Sequence, residues 1–179
     1  LGFSGKKANK HKDERDKFEF GLNFAVGSCN QYYHSGNITG KNGRTLNSGF
    51  MFLYNINTWQ GLELGVLANI EQSKQVEGKF QAMKLSVPLT WNLGYFSTDV
   101  GIGVNLGLAY DYIFKAQLNE VDLKQGEFNP HDIGFVCGFK FIFGKVGLNM
   151  SNKFGFLDRY NKDVKITYRE TLFGLTYYF

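Results

Sequence analysis

Apolar and polar residues alternate along most of the chain after residue 16. In the first such stretch, Phe18, Phe20, Leu22, Phe24 and Val26 take every second position, with small or polar residues between them. A period of two residues is typical of a β-strand whose two faces meet different surroundings. The pattern recurs and predicts eight strands. Their approximate bounds are 17–28, 46–57, 61–72, 79–92, 99–113, 131–143, 145–155 and 166–179.

The last predicted strand has one aromatic-rich face. Thr171, Phe173, Leu175, Tyr177 and Phe179 form this face, and the opposite face is smaller and more polar. Such a face needs a cover, and lipid supplies it in a transmembrane β-barrel. Because an open sheet edge is unfavourable in lipid, we expect this strand to pair with the first one.

The predicted connections alternate in length. Long polar segments cover 29–45, 73–78, 114–130 and 156–165, and short turns lie at 58–60, 94–97 and 144–145. Outer-membrane barrels show this asymmetry, with long extracellular loops and short periplasmic turns. With an even number of strands, both chain ends then lie on the periplasmic side.

An aromatic girdle is expected at the periplasmic interface, where amphipathic rings are favoured. It comprises Trp59, Trp91, Tyr95, Phe96, Phe143, Tyr177 and Phe179.

The composition of the less apolar face decides between a membrane barrel and a soluble barrel. A soluble lipocalin-like barrel points its apolar face inward and a charged face to water. Here the less apolar face holds eleven of the 22 glycines, whereas the apolar face lacks charge over its central stretches. Small residues suit the interior of a narrow barrel. The predicted fold class is therefore all-β, an eight-stranded antiparallel up-and-down transmembrane β-barrel.

A few charged residues fall on the predicted inner face. They are Glu19, Glu63, Glu71, Lys84, Lys140, Lys153 and Glu170. Buried charges require partners. We expect a lumen plugged by hydrogen bonds and ion pairs, with Lys84 and Lys140 as central cations. A narrow pore is the competing interpretation, although eight strands enclose a space that side chains fill.

Charge is concentrated before the first strand. The net charge is +4, and six of the 20 Lys and Arg residues lie within the first 17 positions. We interpret residues 1–16 as a polar, solvated periplasmic segment and 17–179 as the barrel domain, with no nucleic-acid partner.

No apolar run approaches the ~20 residues of a spanning helix. The first residue is not Met, and we take the sequence to be a mature or trimmed chain.

The cysteine and histidine residues form no recognisable disulfide, catalytic or metal-ligand pattern in the sequence. Cys29 and Cys137 are expected to be free thiols, because their predicted positions are too far apart for a disulfide. Of the three histidines, His11, His34 and His131, the last lies beside Asp132 and could form a general-base pair. A polar loop end explains it better, and no metal-ligand spacing appears. We therefore expect no catalytic residue, metal or cofactor.

A resemblance to a known family strengthens the barrel interpretation. The strand 83–91, with Pro88 at its centre, is followed by the glycine-rich strand 100–108 and by the phenylalanine-terminated last strand. This series resembles small PorT-like, OmpA-type outer-membrane barrels over about residues 17–179. The resemblance implies an eight-stranded barrel in the outer membrane without a common active site. The final Phe also resembles the recognition signal for the barrel-assembly machinery, which is therefore an expected partner.

The expected function follows from these points. We interpret the chain as a non-enzymatic outer-membrane barrel surrounded by outer-membrane lipid. It would act through its extracellular loops, or as an accessory subunit of a larger envelope complex for secretion, assembly or uptake. Tyr32, Tyr33 and Arg44 could bind a surface partner, although ordinary packing explains them equally well. A lipid A-modifying enzyme is the alternative function, and a soluble ligand-binding barrel comes third.

Overall fold

Nine strands form one sheet in the computed structural model, which describes residues 15–33, 41–75, 78–123, 128–158 and 166–179. The strands are β1 (Phe18–Tyr33), β2 (Lys41–Asn57), β3 (Gln60–Gln75), β4 (Gly78–Phe96), β5 (Val100–Leu118), β6 (Val121–Asp122), β7 (His131–Phe143), β8 (Val146–Gly155) and β9 (Ile166–Tyr178). No helix in the described part of the chain is long and apolar enough to cross a membrane.

Eight of these strands close into an antiparallel barrel. Neighbours follow the order β4-β3-β2-β1-β9-β8-β7-β5, and β4 pairs with β5 to complete the circle. β6 only extends β5 through a two-residue pairing. The last strand pairs with the first from Gly21↔Tyr178 to Tyr33↔Ile166. The predicted fold class and the predicted pairing of the first and last strands are confirmed.

The two ends of the barrel differ. The end that carries Lys17, Phe179 and the turns at 58–59, 97–99 and 144–145 is called the terminal end. The opposite end, where the connections 34–40, 76–77, 119–130 and 156–165 lie, is called the loop end.

Several strands are longer than the sequence predicts. β1 continues to Tyr33 and β2 begins at Lys41, so most of the predicted loop 29–45 is strand. The predicted loop 73–78 shrinks to residues 76–77 between β3 and β4. These extensions escape detection because they carry polar residues on both faces. The regular alternation of apolar residues ends before the hydrogen-bonded ladder does.

Side chains divide sharply between the two faces of the barrel wall. Forty large apolar side chains of the described residues are more than a third exposed, and nearly all of them alternate on the outward face. The exposed fraction reaches 67% at Phe18, 59% at Phe50 and 58% at Phe139. Most inward positions are small, polar or charged, and the larger inward apolar side chains gather near the two ends. The barrel therefore has its apolar surface outside and its polar core inside.

Pro88 lies inside the pairing of β4, where its missing N–H is tolerated by a local adjustment. β3 and β4 lack paired residues between Leu64↔Leu89 and Leu67↔Ser86, although Pro88 stays opposite Ala109 on β5. A Cβ on Gly65 would lie 2.8 Å from Pro88 Cγ, so the glycine leaves room for the ring. The proline thus faces the interior at a break in the ladder.

Apolar clusters occupy the interior near both ends. At the loop end, buried Phe80, Ala82, Ile113, Ala116 and Phe128 pack together. At the terminal end, the cluster consists of Leu53, Phe96, Ile142 and Tyr178.

Phe96 departs from the predicted girdle. Only 4% of the residue is exposed, and its ring packs in the terminal-end cluster. The sequence predicts a turn at 94–97, but β4 continues unbroken to Phe96. Because successive residues of a strand face opposite sides, Phe96 points inward like the buried Asn92 four positions earlier.

Candidate functional site: charged residues in the barrel interior

A cluster of five ionisable groups lies in the interior towards the loop end, and it is called the Lys84 cluster. Its members are Lys84, Lys153, Glu71, Asp111 and Glu170, contributed by β3, β4, β5, β8 and β9. Lys84 Nζ lies 3.0 Å from Asp111 Oδ2, 3.3 Å from Glu71 Oε2 and 3.4 Å from Glu170 Oε2. Inward and outward positions alternate along each strand, and all of these side chains take inward positions. The ammonium group of Lys84 therefore links β4 to β3, β5 and β9.

The carboxylates of the Lys84 cluster have further partners. Asp111 forms an ion pair with Lys153 and accepts a hydrogen bond from Ser86 Oγ at 2.6 Å. Glu170 Oε1 accepts hydrogen bonds from Thr45 Oγ1 at 2.6 Å and from Asn69 Nδ2 at 2.8 Å. Buried ionised groups need this degree of compensation because desolvation is costly.

The cluster is formally unbalanced. It contains two ammonium and three carboxylate groups, so its net charge is −1 when all are ionised. The ring of Tyr168 adds to the binding of the central cation, since Lys84 Nζ lies 4.2 Å from the ring centroid. A cation over an aromatic face is attracted by the ring quadrupole, more strongly where water is excluded.

A second, smaller group lies towards the terminal end and is called the Lys140 cluster. Lys140 Nζ donates to the Glu63 carboxylate. The hydroxyl of Tyr178 donates to Glu63 Oε1 at 2.9 Å, and Asn92 Nδ2 lies 3.4 Å from Glu63 Oε2. One ammonium thus balances one carboxylate, and the tyrosine links this pair to the apolar cluster below it.

Arg15 closes the interior at the terminal end. Its Nε donates to Glu19 Oε1 at 2.7 Å, and its second guanidinium nitrogen pairs with the same carboxylate. Another guanidinium nitrogen donates to the carbonyl oxygen of Gly144 at 3.1 Å. The guanidinium also lies 5.5 Å from the centroid of the Tyr178 ring. A residue that precedes β1 is therefore anchored across the barrel mouth.

A cavity of about 70 Å³ separates the Lys84 and Lys140 clusters. Glu63 and Lys140 border it on one side, and Lys153 and Glu170 border it on the other. Four asparagines also line it. They are Asn23, Asn47, Asn105 and Asn149. Apolar side chains, among them Met51, Leu67 and Val136, make up much of the remaining lining, and the space is large enough for a few water molecules.

All seven charged residues predicted to face the lumen lie in the interior and are buried. Sequence reasoning missed Asp111, Arg15 and Tyr178, which complete the two clusters and the mouth. The signal for Asp111 was present, because it lies between outward-facing Tyr110 and Tyr112. No sequence signal identifies Arg15, which precedes the periodic pattern.

His131 and Asp132, which the sequence offered only as the less favoured alternative of a general-base pair, do not form one. His131 is exposed on the outward face, and its Nδ1 lies 2.6 Å from the Tyr110 hydroxyl. The side chain of Asp132 is fully buried in the interior. Consecutive residues of β7 face opposite sides of the wall, so these two groups cannot act together. His11 and His34 lie outside the described residues.

Six members of the predicted aromatic girdle are outward-facing and exposed near the terminal end. They are Trp59, Trp91, Tyr95, Phe143, Tyr177 and Phe179. The rings of Trp59 and Tyr95 meet edge to face at 5.3 Å, and those of Tyr177 and Phe179 lie 6.0 Å apart.

The two cysteines are free thiols on opposite sides of the wall. Cys29 is buried in the interior, within the extended part of β1, and Cys137 lies on the outward face between Phe135 and Phe139.

Comparisons with known proteins place the fold. No family model matches the chain, and a search by sequence matches no curated protein. The attachment invasion locus protein Ail of Yersinia pestis has a TM-score of 0.50 at 13% identity, covering 92% of this chain and 100% of Ail. Neisserial surface protein A has a TM-score of 0.54 at 14% identity, with 89% and 97% covered. The outer membrane enzyme PagL has a TM-score of 0.53 at 9% identity, with 86% and 97% covered. The fold is therefore that of small outer-membrane β-barrels.

Proposed function

We propose that the protein is an integral outer-membrane β-barrel with a plugged lumen and a non-enzymatic role. The outward apolar belt supports the membrane assignment. A soluble monomer rarely exposes a contiguous apolar patch of more than a few hundred Å², whereas forty large apolar side chains are exposed in the described part of this chain. Among the described residues, no charged side chain interrupts the outward face between Phe18 and Val26 on β1 or between Val100 and Phe114 on β5.

The Lys84 cluster is the main observation in support of a plugged lumen. Its side chains come from five of the eight barrel strands. Three carboxylates meet at Lys84 and Lys153 pairs with one of them, so the cluster crosses the interior rather than lining a channel. The apolar clusters at both ends and the Arg15 contacts add further obstruction. An eight-stranded barrel encloses a space that side chains can fill completely.

Electrical recordings test the plugged lumen. We expect the purified protein to give no steady, large conductance in planar lipid bilayers, because the Lys84 cluster and the end clusters block the path of hydrated ions. Folded protein in the same preparation is verified by its altered gel mobility before and after heating. A steady, large conductance from verified folded barrels would contradict the proposal.

We further propose that the barrel acts through contacts, at its extracellular loops or as a subunit of a larger envelope assembly. Strands 83–91 and 100–108 resemble PorT-like outer-membrane barrels, which share no common active site, and this favours a role through contacts without naming the partner. In this arrangement the loop end is extracellular and the terminal end is periplasmic. The phenylalanine-terminated last strand supports recognition by the barrel-assembly machinery during insertion.

Extraction in mild detergent tests the contact role. We expect partner proteins of the envelope to co-purify with the native barrel, and migration as a lone monomer under every extraction condition would contradict the prediction.

The alternative enzyme function has a separate test, since PagL is an enzyme with this fold at 9% identity. A change in lipid A acylation on deletion of the gene, detected by mass spectrometry, would favour the enzyme.

A further inference from the structure

Two buried asparagines at the cavity between the Lys84 and Lys140 clusters have side-chain carbonyl oxygens that accept no hydrogen bond. Asn47 of β2 and Asn105 of β5 line this cavity and are only 3% and 6% exposed. The Oδ1 atom of each is buried and has no hydrogen-bond donor among the described residues. A buried acceptor without a donor destabilises the folded state, so folded proteins nearly always supply one. These oxygens therefore indicate that a group in the cavity offers them positive charge or a proton donor.

The two asparagines approach the cavity from different sides of the barrel, because β3 and β4 separate β2 from β5. The hydroxyl-bearing side chains of Thr90 and Ser151 also line the cavity. Carbonyl and hydroxyl oxygens carry lone pairs that can face a bound ion. Uncharged oxygen ligands from several strands suit a hard cation.

The charge around the cavity favours a cation over water alone. The five groups of the adjacent Lys84 cluster carry a net formal charge of −1. Both ammonium groups that border the cavity have a carboxylate partner, since Lys140 pairs with Glu63 and Lys153 pairs with Asp111. One further positive charge would bring the cluster and its ion together to neutrality, which matters because buried net charge is unfavourable. Water would satisfy the asparagine oxygens but would leave the charge.

The size and the ligands of the cavity select a monovalent ion. Its volume of about 70 Å³ leaves room for a small ion with accompanying water. Within the described ranges, no group of three or more His, Cys, Asp and Glu residues is placed to hold a metal ion. Sites rich in carboxylate ligands are typical of divalent cations. A divalent ion would also turn the net charge of the cluster positive.

We propose that this cavity binds one alkali cation, Na⁺ or K⁺, through Asn47 Oδ1 and Asn105 Oδ1. The inference rests on the plugged lumen of the proposed function, since an open channel would not retain the ion. The cation would be captured as the barrel closes and would link β2 to β5 across the interior. It would thus be a part of the plug that the chain itself does not supply.

The test compares urea unfolding of the wild type in sodium chloride, potassium chloride and N-methylglucamine chloride at equal ionic strength and pH. Vesicles of zwitterionic phosphatidylcholine avoid cation effects on anionic lipid. An ion that binds only the folded state lowers the unfolding equilibrium constant by a factor of 1 + [ion]/Kd. We expect this constant to be about tenfold lower in the more effective alkali chloride than in N-methylglucamine chloride, whose cation is too large for the cavity.

Three variants assign the cation effect to the cavity. Asn47→Leu/Asn105→Leu removes both carbonyl oxygens and should unfold equally in the three salts. Glu170→Gln removes the excess negative charge of the Lys84 cluster, leaves both asparagines in place, and should also abolish the effect. The matched control Asn152→Leu makes the same chemical change on the outward face of β8 and should keep the tenfold difference.

Two results would overturn the site. Equal unfolding of the wild type in all three salts would leave water as the occupant of the cavity. A tenfold difference that survives in Asn47→Leu/Asn105→Leu would place the ion elsewhere. Failure of the plugged lumen has a separate signature, because it would appear as a steady, large conductance of the wild type in planar bilayers.

Discussion

Replacing Lys84 by Met is expected to lower the free energy of unfolding by about 3–5 kcal/mol. The side chain of Lys84 is fully buried within 3.4 Å of three carboxylates, those of Glu71, Asp111 and Glu170. Without its ammonium group, these carboxylates stay buried with Lys153 as the remaining cation of the cluster. The loss is measured by urea unfolding in lipid vesicles, followed by the fluorescence of the exposed Trp59 and Trp91.

A matched control separates burial from simple charge loss. Lys115→Met removes the same charge from a half-exposed side chain that lies 4.0 Å from Asp122, so it should change the unfolding free energy by about 0–1 kcal/mol. The double variant Lys84→Met/Glu170→Gln should lose less than the sum of the two single variants, because each change removes a partner of the other. Equal effects of Lys84→Met and Lys115→Met would show that the cluster contributes no special stability.

The outward face of this barrel could be predicted from the sequence because a single physical requirement acts on every strand. Each outward position between the two edges of the belt must avoid charge, so the period of two residues is visible in Phe18–Val26 and again in Val100–Phe114. The strand ends could not be predicted in the same way. Beyond the belt both faces of β1 and β2 carry polar residues, and the ladder continues without a sequence signal.

The interior could be predicted only as a list of residues. Parity along each strand indicates that Lys84 and Glu170 face inward, but not that they meet, because they lie on β4 and β9, which are not neighbours in the sheet. Their contact depends on the register of every intervening strand pair and on the narrow interior. For the same reason, the role of Arg15 emerges only once the terminal-end mouth is assembled around it.

Phe96 shows how a local error in the sequence interpretation propagates. A glycine followed by two aromatics and a serine resembles a turn, and a turn would release the aromatic ring to the outward girdle. β4 instead continues to Phe96, and the strict alternation of the strand turns the ring inward. The distinction between strand and turn at one residue therefore decides whether an aromatic faces the membrane interface or the core.

Replacing Leu175 by Lys is expected to reduce membrane assembly severely. Leu175 is 48% exposed on the outward face of β9, between Phe24 of β1 and Leu148 of β8. A lysine in the middle of a lipid-facing surface costs about 2–4 kcal/mol. The residue also lies on the strand that closes the barrel, so the cost falls on the closing step. The fraction of heat-modifiable barrel formed in lipid vesicles measures the effect.

Two further variants test whether the cost follows from lipid exposure. Phe173→Lys places the charge one step closer to the edge of the belt and should impair assembly less, because the penalty decreases towards the interface. Thr176→Ser changes the neighbouring inward position but keeps the hydroxyl that accepts hydrogen bonds from Asn23 at 2.9 Å and from Asn149 at 3.2 Å. It should assemble like the wild type. Normal assembly of Leu175→Lys would mean that the outward face of β9 does not meet lipid, and the orientation of the whole barrel wall would have to be reversed.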